Sequence, residues 1–117
     1  MGLVWTQTAT RRSSWVWTHQ TPKLKQKGAK VVHVTNGHLK QGPWKEIMEY
    51  TDGANIDVKG FSEEFYRNVT GGDLKTVLEN VRTSVDMRVH VEIAYLVIPG
   101  YNDDNAQING LIDWVLN

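Results

Sequence analysis

The stretch VHVEIAYLVI at residues 89–98, closed by Pro99-Gly100, decides the fold class of this chain. It is rich in β-branched and aromatic residues and ends at a turn signal, which predicts a strand. Before it, apolar residues recur at helical spacing from an Asp73 N-cap to about Asp86. After it, a helix is predicted to begin at Asp103 or Asp104. Its apolar face is predicted to comprise Ile108, Leu111, Ile112 and Val115.

The same alternation continues towards the N-terminus. Strands are predicted at 3–6, at 30–35 (KVVHVT, ending at Asn36-Gly37) and at 54–58 (ANIDV, ending at Lys59-Gly60). Helical segments are predicted at 15–27 and 43–50, although Pro22 argues against an unbroken helix in the first. Ser62 is a predicted N-cap for a further helical segment. The order βαβαβαβα predicts an α/β fold in which right-handed crossovers join about four parallel strands.

Such a sheet predicts where the chemistry lies. Strands this apolar are expected to be covered on both faces. Ligands of parallel α/β sheets bind beyond the carboxyl ends of the strands. The polar residues at those ends are therefore the candidates, namely Thr35-Asn36-Gly37, Asp57 to Gly60 and Pro99-Gly100.

Composition excludes several classes of protein. The chain has 117 residues, a formal net charge of zero and no cysteine. Zero net charge gives no expectation of nucleic-acid binding, and no apolar run is long enough for a membrane span. A cytoplasmic location is the default expectation, since the N-terminus lacks a secretion signal. Without cysteine, the chain holds no disulfide and no thiolate-bound metal or cluster.

Asp57 and Lys59 are the most informative candidates. Lying two residues apart at a strand end, they are expected to point the same way. A carboxylate and an ammonium could together bind the two charged ends of an amino-acid-like ligand. A structural ion pair is the alternative interpretation, and the residues alone leave it open.

Other polar residues allow more than one interpretation. Thr35 and Asn36 could contact a ligand, but Asn-Gly is also typical of a simple turn. Glu92 either faces the interior of a barrel or extends from a sheet edge. The four histidines, at 19, 33, 38 and 90, lack zinc-ligand spacing.

Three segments in combination carry a family resemblance: VVHVTNG (31–37), ANIDVKGFSEEFYRNVTGGDLKTVLENV (54–81) and VHVEIAYLVIPGYNDD (89–104). Together they resemble the radical S-adenosylmethionine (SAM) enzymes related to pyruvate formate-lyase activating enzyme. The branch they resemble is the radical SAM protein of the AmmeMemoRadiSam system. The resemblance runs from about Lys23 to the C-terminus.

This resemblance implies a partial (β/α) TIM-type barrel fragment, with 1–117 as a single partial radical SAM domain. The full-length enzymes of this family use SAM and a 4Fe–4S cluster as cofactors, and reductive cleavage of SAM yields a 5′-deoxyadenosyl radical. The implied SAM-binding residues are Asp57 and Lys59, with Thr35, Asn36 and Glu92 as weaker candidates. No catalytic residue and no metal ligand carries over. A protein substrate or a chain that completes the barrel is the implied partner.

The sequence departs from this family in two places. The Cys-x3-Cys-x2-Cys loop is absent, so we expect the first, cluster-binding unit to be missing. Residues 7–14 diverge where the family has an Asn-Glu-Pro-like motif. A local frameshift is one hypothesis, because another reading frame through Thr10-Arg11-Arg12 can encode Asn-Glu-Ala or Asn-Glu-Thr.

These departures predict a chain that is inactive alone and exposes the apolar inside of an open barrel, with two free sheet edges. Two rival functions remain. The first is a non-catalytic, doubly wound α/β module that binds a ligand at Asp57 and Lys59 without a cluster. The second is a structural partner that completes a barrel with another chain.

Overall fold

The computed structural model describes residues 3–8 and 11–117, with side chains from residue 19 onward. The strands are β1 (Leu3–Thr8), β2 (Lys30–Thr35), β3 (Gly53–Asp57) and β4 (His90–Ala94). The helices are α1 (Arg11–Gln26), α2 (Gln41–Met48), α3 (Glu63–Phe65), α4 (Leu74–Asp86) and α5 (Asn105–Leu116). A π-helical turn, Tyr66–Thr70, directly follows α3. The predicted alternation of strands and helices is confirmed.

The described strands form one parallel sheet in the order β1-β2-β3-β4. Each strand pairs with its neighbour in sequence, so successive right-handed crossovers place the helices on the same face. A doubly wound sheet would instead reverse its strand order at a switch point. The doubly wound form of the rival module is therefore wrong for the described sheet.

One face of the sheet, which we call the covered face, packs against the helices. From β2 and β3 it presents Val31, His33, Thr35, Ala54 and Ile56, which are all buried. Helices α2 and α4 complete the core with Trp44, Ile47, Met48, Val77 and Val81. Burying such side chains contributes about 1.5–3 kcal/mol each to folding.

The other face, which we call the open face, carries no helix among the described residues. It presents half-buried Val32, Val34, Asn55 and Asp57, and exposed His90 and Glu92. The expectation that both faces are covered is therefore wrong for the part of the sheet that the structure describes. The prediction of an apolar open face is also wrong for β3 and β4. Along these strands, polar residues on the open face alternate with apolar residues on the covered face, so the open face tolerates water.

Two segments differ from their predicted form. Helix α1 continues through Pro22. The proline costs one main-chain hydrogen bond, whereas α1 keeps its packing against α2 and β2. Strand β4 ends at Ala94 and not at Ile98, because its partner β3 already ends at Asp57, which lies opposite Ala94.

Helix α5 packs on a face that only partly matches the predicted one, since Leu111 packs as expected and two other predicted members do not. Gln107 is buried, and Leu111 and Trp114 pack against the core. Ile112 and Val115, which were assigned to the apolar face, are about half exposed, at 48% and 54%. The Trp114 ring lies 6.4 Å from the ring of Phe61 between centroids, so α5 is fixed through the loop after β3.

Local capping signals predict the helix starts well. The side chains of Ser62, Asp73 and Asp104 each accept a hydrogen bond from the main-chain amide three residues later. This is the bond that an N-cap residue supplies to a helix end whose amides lack partners. Ser62 and Asp73 were predicted as caps, and Asp104 was one of the two residues at which the last helix was predicted to begin.

Candidate functional site

The ion pair of Asp57 and Lys59 lies at the carboxyl end of β3. The Lys59 ammonium donates to Asp57 Oδ2 at 2.7 Å, and both side chains keep about a third of their surface exposed (38% and 35%). The structure thus brings together the two residues that the sequence singled out. Partial exposure leaves both charged groups accessible to a ligand, which would replace the contact between them.

The main chain after Asp57 is held by side chains from distant elements. The amide of Lys59 donates to the hydroxyl oxygen of Tyr66 at 2.9 Å, and its carbonyl accepts from Asn102 Nδ2 at 2.7 Å. Next along the chain, the amide of Phe61 donates to Gln107 Oε1 at 3.0 Å. Main-chain groups that have left the sheet ladder are thereby satisfied, and this loop is held in one conformation.

Gly60 is required by close packing in the same loop. A Cβ atom built at this position would overlap the ring of Phe65, which is itself buried. The ring therefore lies directly on the glycine main chain. This contact explains the glycine at position 60 without reference to any ligand.

Tyr66 contributes a neutral phenol to the site. Its side chain is 3% exposed, and burial is the largest influence raising the pKa of its hydroxyl above the usual value. The hydrogen bond from the Lys59 amide works in the opposite direction, while the nearby carboxylate of Asp57 adds to the rise in pKa. The hydroxyl therefore stays protonated at neutral pH and accepts from Lys59 without carrying charge.

Glu92 lies on the open face beside a residue that sequence reasoning missed. Asn55 Nδ2 lies 3.4 Å from Glu92 Oε2, and His90 Nε2 lies 3.6 Å from Glu92 Oε1. Because Asn55 precedes Asp57 by two residues in a strand, it shares the open face with Asp57. That spacing was visible in the sequence and could have identified Asn55. The side chain of Glu92 is 66% exposed.

Thr35 and Asn36 form a turn whose side chains bond locally. Thr35 Oγ1 accepts from the amide of Gly37 at 3.1 Å, and Asn36 Oδ1 accepts from the amide of His38 at 3.1 Å. Thr35 pairs with Ile56 and shares its covered face, whereas Asp57 is on the open face. The structure therefore places Thr35 on the opposite side of the sheet from Asp57 and leaves Asn36 exposed at the turn.

Asn80 of α4 holds this turn in place and was also missed from the sequence. Its Nδ2 donates to the carbonyls of Gly37 and Leu39 at 2.7 Å each, and its Oδ1 accepts from Gln41 Nε2 at 2.7 Å. Asn80 is fully buried. The available signal was a polar residue three positions after Val77, within the apolar face of a predicted helix.

The described residues give no ligand set for a metal ion. Within the side chains described from residue 19 onward, no group of three His, Cys, Asp or Glu residues is arranged to hold one. No helix in the described part of the chain is both long enough and apolar enough to cross a membrane. The divergent segment 7–14 includes residues 9 and 10, which lie outside the described residues, and its side chains are not described.

The geometry defines an α/β protein with a parallel sheet and a charged pair at a strand end. Among solved structures, a domain of pyruvate-formate lyase-activating enzyme from Bacteroides vulgatus has this fold, with a TM-score of 0.83. The match covers 97% of this chain and 71% of that one, at 17% sequence identity. No family model matches the chain.

Sequence comparison identifies the relatives. An uncharacterized protein of Methanocaldococcus jannaschii is 33% identical over 84 residues, which are 72% of this chain and 24% of that protein. Pyruvate formate-lyase 1-activating enzyme of Escherichia coli is 32% identical over 66 residues, which are 56% of this chain and 27% of the enzyme. The homologues of this chain are thus pyruvate formate-lyase activating enzymes and related activases of glycyl radical enzymes, which confirms the resemblance. The chain spans about a quarter of the length of these curated relatives.

Proposed function

We propose that this chain is part of a radical SAM activase of a glycyl radical enzyme, and that Asp57 and Lys59 bind the amino-acid end of SAM. The observation that carries the proposal is the partly exposed pair itself, with a 2.7 Å contact at the carboxyl end of a parallel strand. An ammonium suits the carboxylate of such a ligand, and a carboxylate suits its amine or a ribose hydroxyl.

The sheet supports the barrel part of this proposal. Sequential strand order with the helices on one face is the arrangement of a (β/α) barrel, in which the open face lines the interior. Asn55 and Glu92 would then line the barrel below Asp57. Thr35 and Asn36 would shape the turn that borders the ligand, with Asn36 as the exposed member of that turn.

The cluster does not fit this chain. A 4Fe–4S cluster is held by cysteine thiolates, and the chain has no cysteine. The residues present therefore supply no step through a cluster, and we propose that the chain alone does not cleave SAM. SAM supplies the radical chemistry of the family, whereas the residues of this chain bind and orient its amino-acid end.

Calorimetry with S-adenosylhomocysteine tests the binding proposal on the 117-residue chain. Lys59→Ala is expected to weaken binding about tenfold or more, since it removes a charge-assisted hydrogen bond. Lys75→Ala is the matched control, because Lys75 is a lysine with 80% exposure and its substitution makes the same charge change. Equal affinity for all three proteins, or no binding by any of them, would refute the proposed site.

The proposed inactivity has a separate test. The purified chain is treated with iron, sulfide and a strong reductant, and 5′-deoxyadenosine is then assayed after addition of SAM. We expect none to form. Formation above a protein-free control would contradict the proposal that the chain is inactive alone.

The proposed frameshift is tested on the DNA. If the alternative frame through Thr10-Arg11-Arg12 does not encode Asn-Glu, the frameshift hypothesis fails. An upstream Cys-x3-Cys-x2-Cys in any frame would support the proposal that 1–117 is one partial domain of a larger enzyme.

A further inference from the structure

Lys59 is the point where the chain leaves the sheet. Strand β3 ends at Asp57, and Val58 still donates to the carbonyl of Ala94. One residue later, the amide and the carbonyl of Lys59 are both bound by side chains, those of Tyr66 and Asn102. The main chain beneath the ammonium is therefore held from both sides by two residues that are distant from each other in sequence.

Asn102 connects Lys59 to the loop that follows β4. Its Nδ2 also donates to the carbonyl of Leu96 at 2.9 Å, and its Oδ1 accepts from the amide of Ile98 at 2.6 Å. Asn102 is fully buried. Both amide protons and the side-chain oxygen thus bond to the main chain, and its complete burial keeps the Asn102 side chain away from a ligand.

Tyr66 is fixed at its other end by the π-helical turn that it begins. Its carbonyl accepts from Thr70 Oγ1 at 2.7 Å and from the amide of Gly72 at 3.3 Å. π-helical turns are rare and occur frequently at functional sites. Here the turn holds the main chain of Tyr66 while the phenol reaches Lys59, and the raised pKa keeps that phenol uncharged.

We propose that Tyr66 and Asn102 are positioning residues, which hold the main chain of Lys59 so that its ammonium is presented beside Asp57 on the open face. They act through Lys59 and do not touch the ligand. The ligand part of this inference rests on the proposed function, whereas the holding of Lys59 does not.

A double-mutant cycle in the 117-residue chain tests the inference with S-adenosylhomocysteine as the probe. Tyr66→Phe keeps the ring and removes the acceptor, and it is expected to weaken binding about fivefold, the value of one hydrogen bond. In the Lys59→Ala background the same substitution is expected to change affinity less than twofold, because no ammonium remains to be positioned. An equal loss in both backgrounds, or no loss in either, would overturn the inference.

Thr51→Val is the control for a merely structural effect. Thr51 is a buried residue whose hydroxyl donates to the carbonyl of Ile47 at 2.8 Å, away from Lys59. It is expected to lower thermal stability without changing affinity. If Thr51→Val weakens binding as much as Tyr66→Phe, positioning is the wrong explanation. Asn102→Ser keeps one polar group at position 102 and is expected to give the same pattern as Tyr66→Phe. It should weaken binding in the otherwise unmodified chain and change affinity less than twofold in the Lys59→Ala background.

Amide hydrogen exchange separates this inference from the proposed function, because it needs no ligand. Exchange at the Lys59 amide of the free chain is expected to rise about fivefold or more in Tyr66→Phe and to stay unchanged in Thr51→Val. Unchanged exchange at Lys59 in Tyr66→Phe would refute the inference. If exchange rises but Lys59→Ala binds the probe as well as the unmodified chain, the proposed function fails and the holding of Lys59 stands.

Discussion

Replacing Asn80 by alanine is expected to destabilise the fold by about 3 kcal/mol, since each of its three hydrogen bonds contributes about 1 kcal/mol. Those bonds, at 2.7 Å each, join α4 to the turn after β2 and to the start of α2. The substitution leaves the carbonyls of Gly37 and Leu39 without this donor. A typical domain is stable by only roughly 5–15 kcal/mol, so the loss would be a large share of the total.

Urea unfolding followed by circular dichroism measures this change, with the slope of the transition checked for two-state behaviour. Asn68→Ala is the matched control, because Asn68 is exposed on the π-helical turn. We expect it to change stability by less than about 0.5 kcal/mol. A loss below about 1 kcal/mol for Asn80→Ala, or a loss equal to that of the control, would show that Asn80 does not hold the turn.

Three further predictions concern single positions. Gly60→Ala is expected to destabilise the chain by about 1–3 kcal/mol through overlap with Phe65. Gly53→Ala is the control and should be neutral or stabilising, because a Cβ added there in β3 meets no atom closer than 3.5 Å. Thermal melts that rank the two alike would contradict the packing argument. Burial lowers the pKa of His33 to about 4, so as pH falls the unfolded chain binds the extra proton before the folded chain does. The free energy of unfolding is therefore expected to fall by about 3 kcal/mol as pH drops from 6.5 towards 4. A His33→Gln variant whose unfolding free energy keeps the same pH slope would exclude His33 as the cause. Asp73→Ala removes the N-cap of α4 and should cost about 0.5–2 kcal/mol in urea unfolding, and an unchanged midpoint would argue against the cap.

Local signals explain the parts of the fold that were predictable. Strand β2 has its predicted bounds, Lys30–Thr35, because β-branched residues meet an Asn-Gly turn there. The caps at Ser62 and Asp73 were readable because a cap acts within three residues of itself. Pro22 shows the limit of such a rule, since tertiary packing outweighs the loss of one hydrogen bond within α1.

The unpredicted parts depend on contacts between residues distant in sequence. Asn80 bonds to main-chain groups 41 and 43 residues away, and Asn102 bonds to Lys59 across 43 residues. A local pattern can mark Asn80 as a polar residue on an apolar helix face, but it does not identify the distant groups that such a residue bonds. Part of the predicted face of α5 was also mistaken, because aliphatic residues occur on more than one side of that helix. The packed side depends on residues distant in sequence, such as Phe61 and Arg82, which contact Trp114.

In the candidate site too, local sequence predicted some features, whereas others depended on contacts between strands. The pairing of Asp57 with Lys59 followed from strand periodicity, and the structure brings the two together. The face occupied by Thr35 required knowledge of its register with Ile56. A one-residue shift in register exchanges the two faces of a strand, so spacing along a single strand could not place Thr35 relative to Asp57.

The holding of the Lys59 main chain has a thermodynamic consequence. Fixing one residue's main chain costs about 1–2 kcal/mol of conformational entropy, and here that cost is met when the chain folds. A molecule that binds at Lys59 therefore has only the lysine side chain left to order, not the loop that carries it. Tyr66 and Asn102 thus transfer part of the entropic cost of recognition from the binding step to the folding step.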